Sequence, residues 1–306
     1  MRGLRTSVDA AGPPLSLSRS AVPVVTHQLT RAVVTVVVPT LNEEANIAWV
    51  LGRMPRDVDE IIVVDGCSTD RTVEVALRVR RDVVLVSQPA RGKGAALLTG
   101  IGMATGDIVV MIDADGSMDP AEIPAMVGAL FAGADLVKGS RGSSGGESLD
   151  FSPVRRLGNW ALTRTANWLY RQRWRELCYG YAAFWRDVLP ALGVTDTVNS
   201  LVSQANDAPT APPATTGGST DYGLGFEIEA LLFCRAARGR LRIAEVFSFE
   251  HPRRSGESNL ATWRDGWRVA TTLLRERNFT ATGEPRRTQR AYPILPALHE
   301  IEAERA

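Results

Sequence analysis

The stretch VVMIDADGSMDP, residues 109–120, joins an apolar run to two carboxylates and then to a glycine. A continuous apolar run of this kind is typical of a strand that is buried on both faces of a parallel sheet. Asp113 and Asp115 follow it two residues apart, so that at a strand end their side chains point to the same face. The two acids either hold a charged ligand, with small Ala114 allowing close backbone approach, or only form a turn that caps the next helix.

The residues around this stretch alternate between apolar runs and helical patterns. Such alternation predicts an α/β fold with βαβ units and a mostly parallel central sheet flanked by helices. The predicted strands are 33–39, 60–65, 83–87, 107–113 and 135–141, and the predicted helices are 42–54, 68–80, 92–104 and 119–133.

Polar side chains lie at the carboxyl ends of several predicted strands. Ligands of such sheets bind in the crevice outside these ends, where Pro39, Thr40, Asp65, Ser87 and Asp113 converge. Asp65 is suited to accept hydrogen bonds from a nucleobase or a ribose. The acids of PTLNEE (39–44) and VDGCSTD (64–70) are explained as well by helix capping when each is taken alone.

The segment ARGKGAA (90–96) places Arg91 and Lys93 between glycines before a predicted helix. Cations and backbone N–H groups in that position favour an anion. The segment does not have the spacing of a phosphate-binding P-loop, and the chain has no G-x-G-x-x-G fingerprint, which argues against a dinucleotide-binding fold.

The second half of the chain is less regular. We expect a Gly/Ser-rich loop after residue 141, a helical stretch over 154–175, a short strand and helix over 179–192, a helix over 226–239 and a strand over 241–248. Residues 195–220 are rich in Pro, Thr and Gly, which predicts a flexible insertion or lid. The predicted organisation is a disordered extension (1–30), one domain (31–280) and a tail (281–306).

The composition is that of a globular protein: 306 residues, 44% hydrophobic and 23% charged, with a formal net charge of +1. This balance gives no argument for nucleic-acid binding, and we expect none. The three cysteines indicate reduced thiols and a cytoplasmic location. No apolar segment approaches the roughly 20 residues that span a bilayer, so any membrane contact is expected to be peripheral, at the cytoplasmic face.

Four blocks resemble the inverting family 2 glycosyltransferases with a GT-A fold, in particular the polyprenyl-phosphate (dolichol-phosphate) mannosyl- and glucosyltransferases. The blocks are VVVPTLNEEANI, EIIVVDGCSTDRT, RGKGAALLTGIGMATGDIVVMIDADGSMDP and LVKGSR, in that order. They span about residues 33–141, which would form the donor half, and leave 142–280 as the acceptor half.

This resemblance implies a role for each matching position. The nucleotide pocket would include Pro39, Thr40, Asn42, Glu44, Asp65, Arg91, Lys93, Asp113 and Ala114. Asp113 and Asp115 would form a D-x-D site for the donor diphosphate and Mg²⁺ or Mn²⁺, and His251 either completes the metal shell or is a surface residue. Arg141, Arg254 and Ser258 would contact acceptor or donor phosphates. Ser117 stands where related mannosyltransferases often carry an amide.

The implied reaction transfers a hexose from UDP-glucose or GDP-mannose to a polyprenyl phosphate or another phosphorylated acceptor. A phosphate acceptor needs no base; for a hydroxyl acceptor, Glu227 or Glu229 is the candidate base, unless both lie on a polar helix face. Arg155 and Arg156 suit an anionic acceptor or a membrane surface, and a solvated helix explains them nearly as well. A soluble enzyme acting on a small hydroxylated acceptor, such as phosphoglycerate or a natural product, and a non-catalytic nucleotide-sugar-binding protein stay open, as does a homodimer.

Overall fold

The computed structural model describes residues 31–141, 153–207, 222–256, 262–281 and 283. In this part of the chain seven strands form one sheet, in the order β3-β2-β1-β4-β6-β5-β7. Neighbouring strands are parallel except at β6, which runs antiparallel to both of its neighbours. The strands are β1 (Val34–Thr40), β2 (Glu60–Asp65), β3 (Val84–Ser87), β4 (Ile108–Met111), β5 (Leu136–Ser140), β6 (Ala182–Trp185) and β7 (Ile243–Phe247).

Helices cover the sheet, and the predicted α/β class with a mostly parallel sheet is confirmed. They are α1 (Ile47–Gly52), α2 (Thr72–Val79), α3 (Lys93–Met103), α4 (Ile123–Phe131), α5 (Pro153–Tyr170), α6 (Leu189–Leu192), α7 (Thr195–Asp207), α8 (Ile228–Arg238) and α9 (Thr262–Arg275). Among the described helices, none is both long and apolar enough to cross a bilayer.

Helix α3 packs directly on β1 and β2, and this contact positions the functional site. A Cβ atom on Gly100 would lie 2.4 Å from Val37 Cγ1 and 2.9 Å from Val64 Cγ2, so only glycine allows this approach. Side chains along α3 from Gly94 to Ile101 are buried. The helix therefore begins, at Lys93, close to the carboxyl edge of the sheet.

Several predicted helices are shorter than their patterns indicated, among them 68–80, which forms over Thr72–Val79. The expected helix 42–54 forms only over Ile47–Gly52, because Asn42 has a φ of 56° and the residues up to Asn46 form turns. The expected helix 154–175 ends at Tyr170, followed by Arg171 with a φ of 55°. A left-handed residue cannot continue a right-handed helix.

The prediction of a flexible insertion is wrong over residues 195–207, which form α7. Val198, Leu201 and Ala205 are buried on one face of this helix, at helical spacing within an otherwise polar sequence. Val198 and Val202 pack on Gly102 of α3, where a Cβ atom would come within 2.6 Å of both side chains. The rest of that predicted insertion, the extension 1–30 and most of the tail 281–306 lie outside the described residues.

Candidate active site

The carboxyl ends of the first strands meet at one edge of the sheet. Thr40 pairs with Asp65 in the β1–β2 ladder, and Asp65 pairs with Ser87 in the β2–β3 ladder. β4 pairs with β1 on the other side, so Asp113, two residues beyond its end, lies at the same edge. The convergence expected from the sequence is therefore present.

Of the two carboxylate oxygens of Asp65, one accepts a hydrogen bond and the other has no donor among the described residues. Its Oδ2 accepts a hydrogen bond of 3.1 Å from the Ser68 backbone N–H. Its Oδ1 is buried, and no donor among the described residues reaches it. A buried acceptor without a donor costs about 1–3 kcal/mol, so this oxygen is where a ligand N–H or O–H would be stabilised.

Asn42 and Glu44 hold the loop that follows Asp65. Asn42 Oδ1 accepts from the Thr69 backbone N–H at 2.8 Å, and Glu44 Oε2 accepts from the Arg71 N–H at 3.0 Å. From the loop after β1, both side chains thus fix the residues that lead into α2. Pro39 and Thr40 close β1, with Thr40 buried, and Arg91 is exposed.

Asp113 forms an ion pair with Lys93 at the start of α3. Lys93 Nζ lies 2.7 Å from Asp113 Oδ1 and 2.8 Å from Glu229 Oε1, so one ammonium group bridges two carboxylates. Burial alone lowers the pKa of Lys93, but the attraction of Asp113 and Glu229 outweighs it and raises the pKa above its ordinary value. In Glu229 burial acts in the other direction: it disfavours the charged carboxylate and is the main cause of the raised pKa of this group. Lys93 is therefore a permanent cation in the site.

Asp115 is fixed by a neighbouring hydroxyl and by an arginine. Its Oδ1 accepts from the Ser117 N–H at 2.9 Å and from the Ser117 hydroxyl at 2.7 Å. Its Oδ2 lies 3.1 Å from Arg253 Nη2, and Arg253 Nη1 lies 3.2 Å from Glu43 Oε1. Arg253 thus joins the end of β4 to the loop after β1.

The alternative that these acids form a turn holds in part, because Asp115 Oδ1 accepts from the N–H of Ser117 two residues later. Asp119 is the residue that caps the following helical turn, accepting from the Ala121 N–H at 3.0 Å. Asp113 and Asp115 do not cap that turn: their side chains carry the ion pairs with Lys93 and Arg253. The two acids are left facing the crevice, with side chains 25% and 16% exposed.

A cavity of about 490 Å³ is lined by Gly116, the residue after Asp115, and by Arg253, its ion-pair partner. Its wall includes Trp49, which lies between two guanidinium groups, Arg53 at 5.0 Å and Arg254 at 5.1 Å from the ring centroid. Gly116, with a φ of 75°, completes it, and a Cβ atom there would approach Arg254 Cδ to 2.9 Å. A second cavity of about 300 Å³ lies between residues 41–46 and Arg253.

His251 lies in the larger cavity but does not join a three-ligand cluster. Its backbone N–H donates to the Ser117 carbonyl at 2.8 Å, and its ring packs edge-on against Phe249 and Trp49. Within the described ranges, no three His, Cys, Asp or Glu side chains are grouped closely enough to hold a metal ion. The predicted shell of Asp113, Asp115 and His251 is not assembled here.

Asp113 and Asp115 nevertheless fit Mg²⁺ or Mn²⁺. They provide hard carboxylate oxygens at one partly open edge, and Mg²⁺ is commonly bound by one or two carboxylates together with substrate phosphates and water. The orientation of Asp115 by Ser117 is the kind of support from a neighbouring hydrogen bond that metal-binding carboxylates have.

Glu227, the first candidate base, is used to shape a loop. It is buried, and its Oε1 accepts from the backbone N–H groups of Gly223 and Gly225 at 3.0 and 3.4 Å. That loop lies on the start of α3, where the Ala95 N–H donates to the Leu224 carbonyl at 3.1 Å. Of the two glutamates considered from the sequence, Glu229 is the one that reaches Lys93.

The residues predicted to bind phosphate differ in their surroundings: one is buried in ion pairs, one lines a cavity, and two have side chains outside the described part of the chain. Arg141 is buried and matched: it pairs with Glu176 and Glu250, and its guanidinium lies 4.6 Å from the Tyr179 ring centroid. Arg254 lines the larger cavity. The side chain of Arg155 and all of Ser258 lie outside the described part of the chain.

Trp49 and Arg253 were not selected from the sequence, and Glu43 was considered there only as one of the acids of PTLNEE. Glu43 is buried, and burial is the main cause of its raised pKa, against a hydrogen bond from Asn46 and the charge of Arg253. Arg253 is adjacent to Arg254 in HPRRSG, and a sequence gives no sign of which of two neighbouring arginines points to a carboxylate. Trp49 lies off the buried spacing of Ile47, Val50 and Leu51, and the sequence does not show that its ring lines a cavity.

Comparison with known proteins identifies the family. The family model described as glycosyl transferase family 2 matches residues 35–193. An uncharacterised glycosyltransferase of Mycobacterium tuberculosis is 35% identical over 231 residues, 74% of this chain and 89% of the relative. The undecaprenyl-phosphate mannosyltransferase of Micrococcus luteus is 30% identical over 237 residues, 74% and 87% of the two chains.

The fold is similar to that of a solved glycosyltransferase. The structure of M. tuberculosis glucosyl-3-phosphoglycerate synthase superposes with a TM-score of 0.58 and 26% identity, over 82% of this chain and 83% of that one. Complexes of that synthase contain Mn²⁺ with UDP-glucose and phosphoglyceric acid, or Mg²⁺ with UDP. The likeness confirms the GT-A architecture expected from the sequence. On the family match and the identity to its relatives, this chain is an enzyme of glycosyl transferase family 2.

Proposed function

We propose that this enzyme transfers a hexose from UDP-glucose or GDP-mannose to the phosphate of a polyprenyl-phosphate acceptor, with inversion at the anomeric carbon. The observation that carries the proposal is the convergence of Asp113, Asp115, Lys93 and Arg253 at the edge where Asp65 offers an open oxygen. Asp65 would contact the nucleoside, and the other four side chains would surround the diphosphate with charged groups. The mannosyltransferase relative acts, by its name, on undecaprenyl phosphate.

In the proposed reaction an oxygen of the acceptor phosphate attacks the anomeric carbon. The bond from that carbon to the nucleoside diphosphate breaks, and the diphosphate leaves with the electron pair. A phosphate monoester is largely ionised at neutral pH, since its second pKa is about 6, so no general base is needed. Lys93 and Arg253 supply fixed positive charge beside the leaving group, which stabilises charge that grows in the transition state.

Asp113 and Asp115 would hold the divalent cation that the solved synthase complexes contain. When bound, that cation would supply further electrostatic stabilisation of the diphosphate. Asp65 would accept a hydrogen bond from the base or ribose, and Ser117 would keep Asp115 in one orientation.

A second candidate acceptor is a small phosphorylated acid such as phosphoglycerate. It is favoured by the similarity to the glucosyl-3-phosphoglycerate synthase, one complex of which contains phosphoglyceric acid. A hydroxyl acceptor would need a base, and Glu229, beside Lys93, has the raised pKa that suits the role.

The donor is tested by thermal shift with UDP, GDP, UDP-glucose and GDP-mannose, each with and without Mn²⁺. We expect one nucleotide class to raise the melting temperature, more so with Mn²⁺, because a ligand that binds only the native state stabilises it. No response to any of the four would overturn the donor assignment.

The acceptor is tested by mass spectrometry of products formed from the stabilising donor. A short polyprenyl phosphate and 3-phosphoglycerate are offered separately, and Asp113→Asn is the inactive control. A glycosylated polyprenyl phosphate is expected. Product on phosphoglycerate alone would replace the first acceptor with the second, and donor binding without any product would favour a binding protein.

A further inference from the structure

Two helices expose large apolar side chains on their outward faces. On α5 these are Leu157, Trp160 and Trp168, and on α9 they are Trp263, Trp267 and Leu274. Trp168, Trp263 and Trp267 are 79%, 83% and 73% exposed. Four of the seven tryptophans of the chain thus lie on this set of six residues, called the tryptophan surface below.

The spacing shows that the exposure belongs to helix faces and not to isolated side chains. Along α5 the exposed residues recur at 157, 160, 164 and 168, while Thr163, Ala166 and Tyr170 point inward. Along α9 they recur at 263, 267 and 274, while Asp265, Val269 and Leu273 point inward. Each helix therefore has an inner face packed on the protein and an outer face rich in apolar groups, and large exposed apolar patches mark interaction sites.

The two helices are neighbours on the same side of the fold. The Tyr170 hydroxyl of α5 donates to the Leu273 carbonyl of α9 at 2.8 Å, and both helices also pack on α8. α9 also faces the active-site loop, where Arg268 Nη1 lies 3.9 Å from Glu227 Oε2. α9, which carries half of the tryptophan surface, thus also contacts the glutamate that shapes the loop over Lys93.

The charge around these tryptophans is of one sign. Residues 153–175 contain six arginines and no acidic residue. α9 contains three arginines, and its one acid, Asp265, is buried at 2% exposure. Arg164 lies against the Trp160 ring at 5.8 Å, so aromatic and cationic groups share the outer face.

We propose that the tryptophan surface docks on an anionic lipid bilayer, with α5 and α9 lying in its interfacial region. Tryptophan rings favour the headgroup level of a membrane, and arginines on the same face are attracted to anionic lipids. A second copy of the chain fits less well, because a two-fold contact would bring two arginine-rich faces together. This inference rests on the proposed function. If the acceptor is a polyprenyl phosphate, docking on the bilayer places the active site beside the membrane that holds the acceptor.

The test is cosedimentation of the full chain with vesicles that contain no polyprenyl phosphate and no donor. We expect binding to phosphatidylglycerol vesicles, weak binding to phosphatidylcholine vesicles, and weakening as salt is raised. The double variant Trp168→Ser/Trp263→Ser should bind at least about 10-fold more weakly, because two interfacial anchors are lost. Leu77→Ser, at an exposed apolar position of α2, is the matched control and should bind like the wild type.

Depth is measured by quenching of tryptophan fluorescence with brominated lipids, which should be strong in the wild type and much weaker in the double variant, where only Trp160 and Trp267 of the tryptophan surface remain. Equal binding by the two proteins, or no binding to anionic vesicles by the wild type, would overturn the proposal. A wild-type dimer in sedimentation velocity that becomes a monomer in the double variant, without vesicle binding, would assign the surface to a second copy. The melting temperature of the double variant without any ligand should equal that of the wild type; this checks its fold and keeps the test separate from that of the transfer reaction.

Discussion

Lys93 and Asp113 form an ion pair of 2.7 Å that joins the start of α3 to the residues just beyond β4. The pair exists because two sequence-distant segments end at the same edge of the sheet, one with an ammonium group and one with a carboxylate. The same ammonium group contacts Glu229 at 2.8 Å, which brings the second half of the chain into the site.

Asp113→Asn removes the charge that faces Lys93 and the proposed diphosphate. Transfer activity should fall by about 100-fold or more, since removing one preorganised electrostatic contact commonly costs that much. The melting temperature should change little because Lys93 keeps Glu229. Turnover under saturating donor measures the effect. Asp82→Asn, an exposed acid paired with Arg80, is the control, and a similar loss in it would contradict the assignment.

Asp65→Asn replaces the open oxygen by an amide group that can donate as well as accept. Nucleotide binding should weaken by about 10- to 100-fold, the range expected for a lost hydrogen bond to a charged acceptor. Titration calorimetry with the preferred nucleoside diphosphate measures this directly. Unchanged affinity would show that Oδ1 faces no part of the donor.

Ser117→Ala removes the hydroxyl that holds Asp115 Oδ1 at 2.7 Å. The Mn²⁺ concentration for half-maximal activity should rise by about 10-fold or more, as is usual when the residue that orients a metal ligand is lost. Ser203→Ala, on the exposed side of α7, should leave it unchanged. A loss of maximal activity with the same Mn²⁺ requirement would instead give Ser117 a role toward the substrate.

Glu43→Gln should change how stability depends on pH. Because burial raises the Glu43 pKa above 4.5, the native protein binds more protons than the unfolded chain just above that pH. The wild type therefore loses stability at this group as pH rises from 4.5 through the native pKa. The variant lacks that loss, so its free energy of unfolding should improve relative to the wild type over this interval.

Urea unfolding at pH 4.5, 5.5 and 7 measures the difference. Glu74→Gln, at an exposed and ion-paired position of α2, is the matched control, and its difference from the wild type should show no comparable rise. A difference that shrinks with pH in Glu43→Gln would mean that Arg253 outweighs burial.

Gly94→Ala should disturb the loop above Lys93. The new Cβ atom would lie 2.3 Å from the Gly223 carbonyl oxygen, which is backbone and has to move. Overpacking of this kind costs about 1–3 kcal/mol of unfolding free energy. Gly128→Ala on α4 has open space and should gain about 0.5–1 kcal/mol. Thermal unfolding compares the two, and equal melting temperatures would argue against a rigid loop.

The parts of the fold that the sequence predicts well are those with strong local patterns. β1, β2 and β4 are largely apolar, β-branched runs, and the acids at or beyond their ends mark the carboxyl edge. β6 between β4 and β5 has no local signal for its antiparallel pairing, because partner choice depends on the whole sheet. α7 was missed because four spaced apolar residues stand in a polar segment, and its burial comes from packing on α3.

The position of the site could be predicted from the sequence, whereas the ion pairs between its side chains could not. Asp113, Asp115, Asp65 and Lys93 lie where strand ends and a glycine-rich helix start predict them. The partner of Asp115 is Arg253, and which of two adjacent arginines takes that place depends on the path of the loop after β7. Glu227 lies just before α8 and binds the loop at 223–225, whereas Glu229 lies in the first turn of α8 and meets Lys93; a two-residue spacing does not show this division.

The position of β6 has a consequence for how the chain reaches its native state. β4 and β5 each pair with β6 and not with one another, so residues 108–111 obtain their outer neighbour from residues 182–185. A nascent chain that has emerged only to residue 141 contains β1 to β5 but leaves a gap in the middle of the sheet. We therefore expect the edge that carries Asp113 to be completed only after residues 182–185 are available, and an isolated N-terminal half to lack the strand that joins β4 to β5.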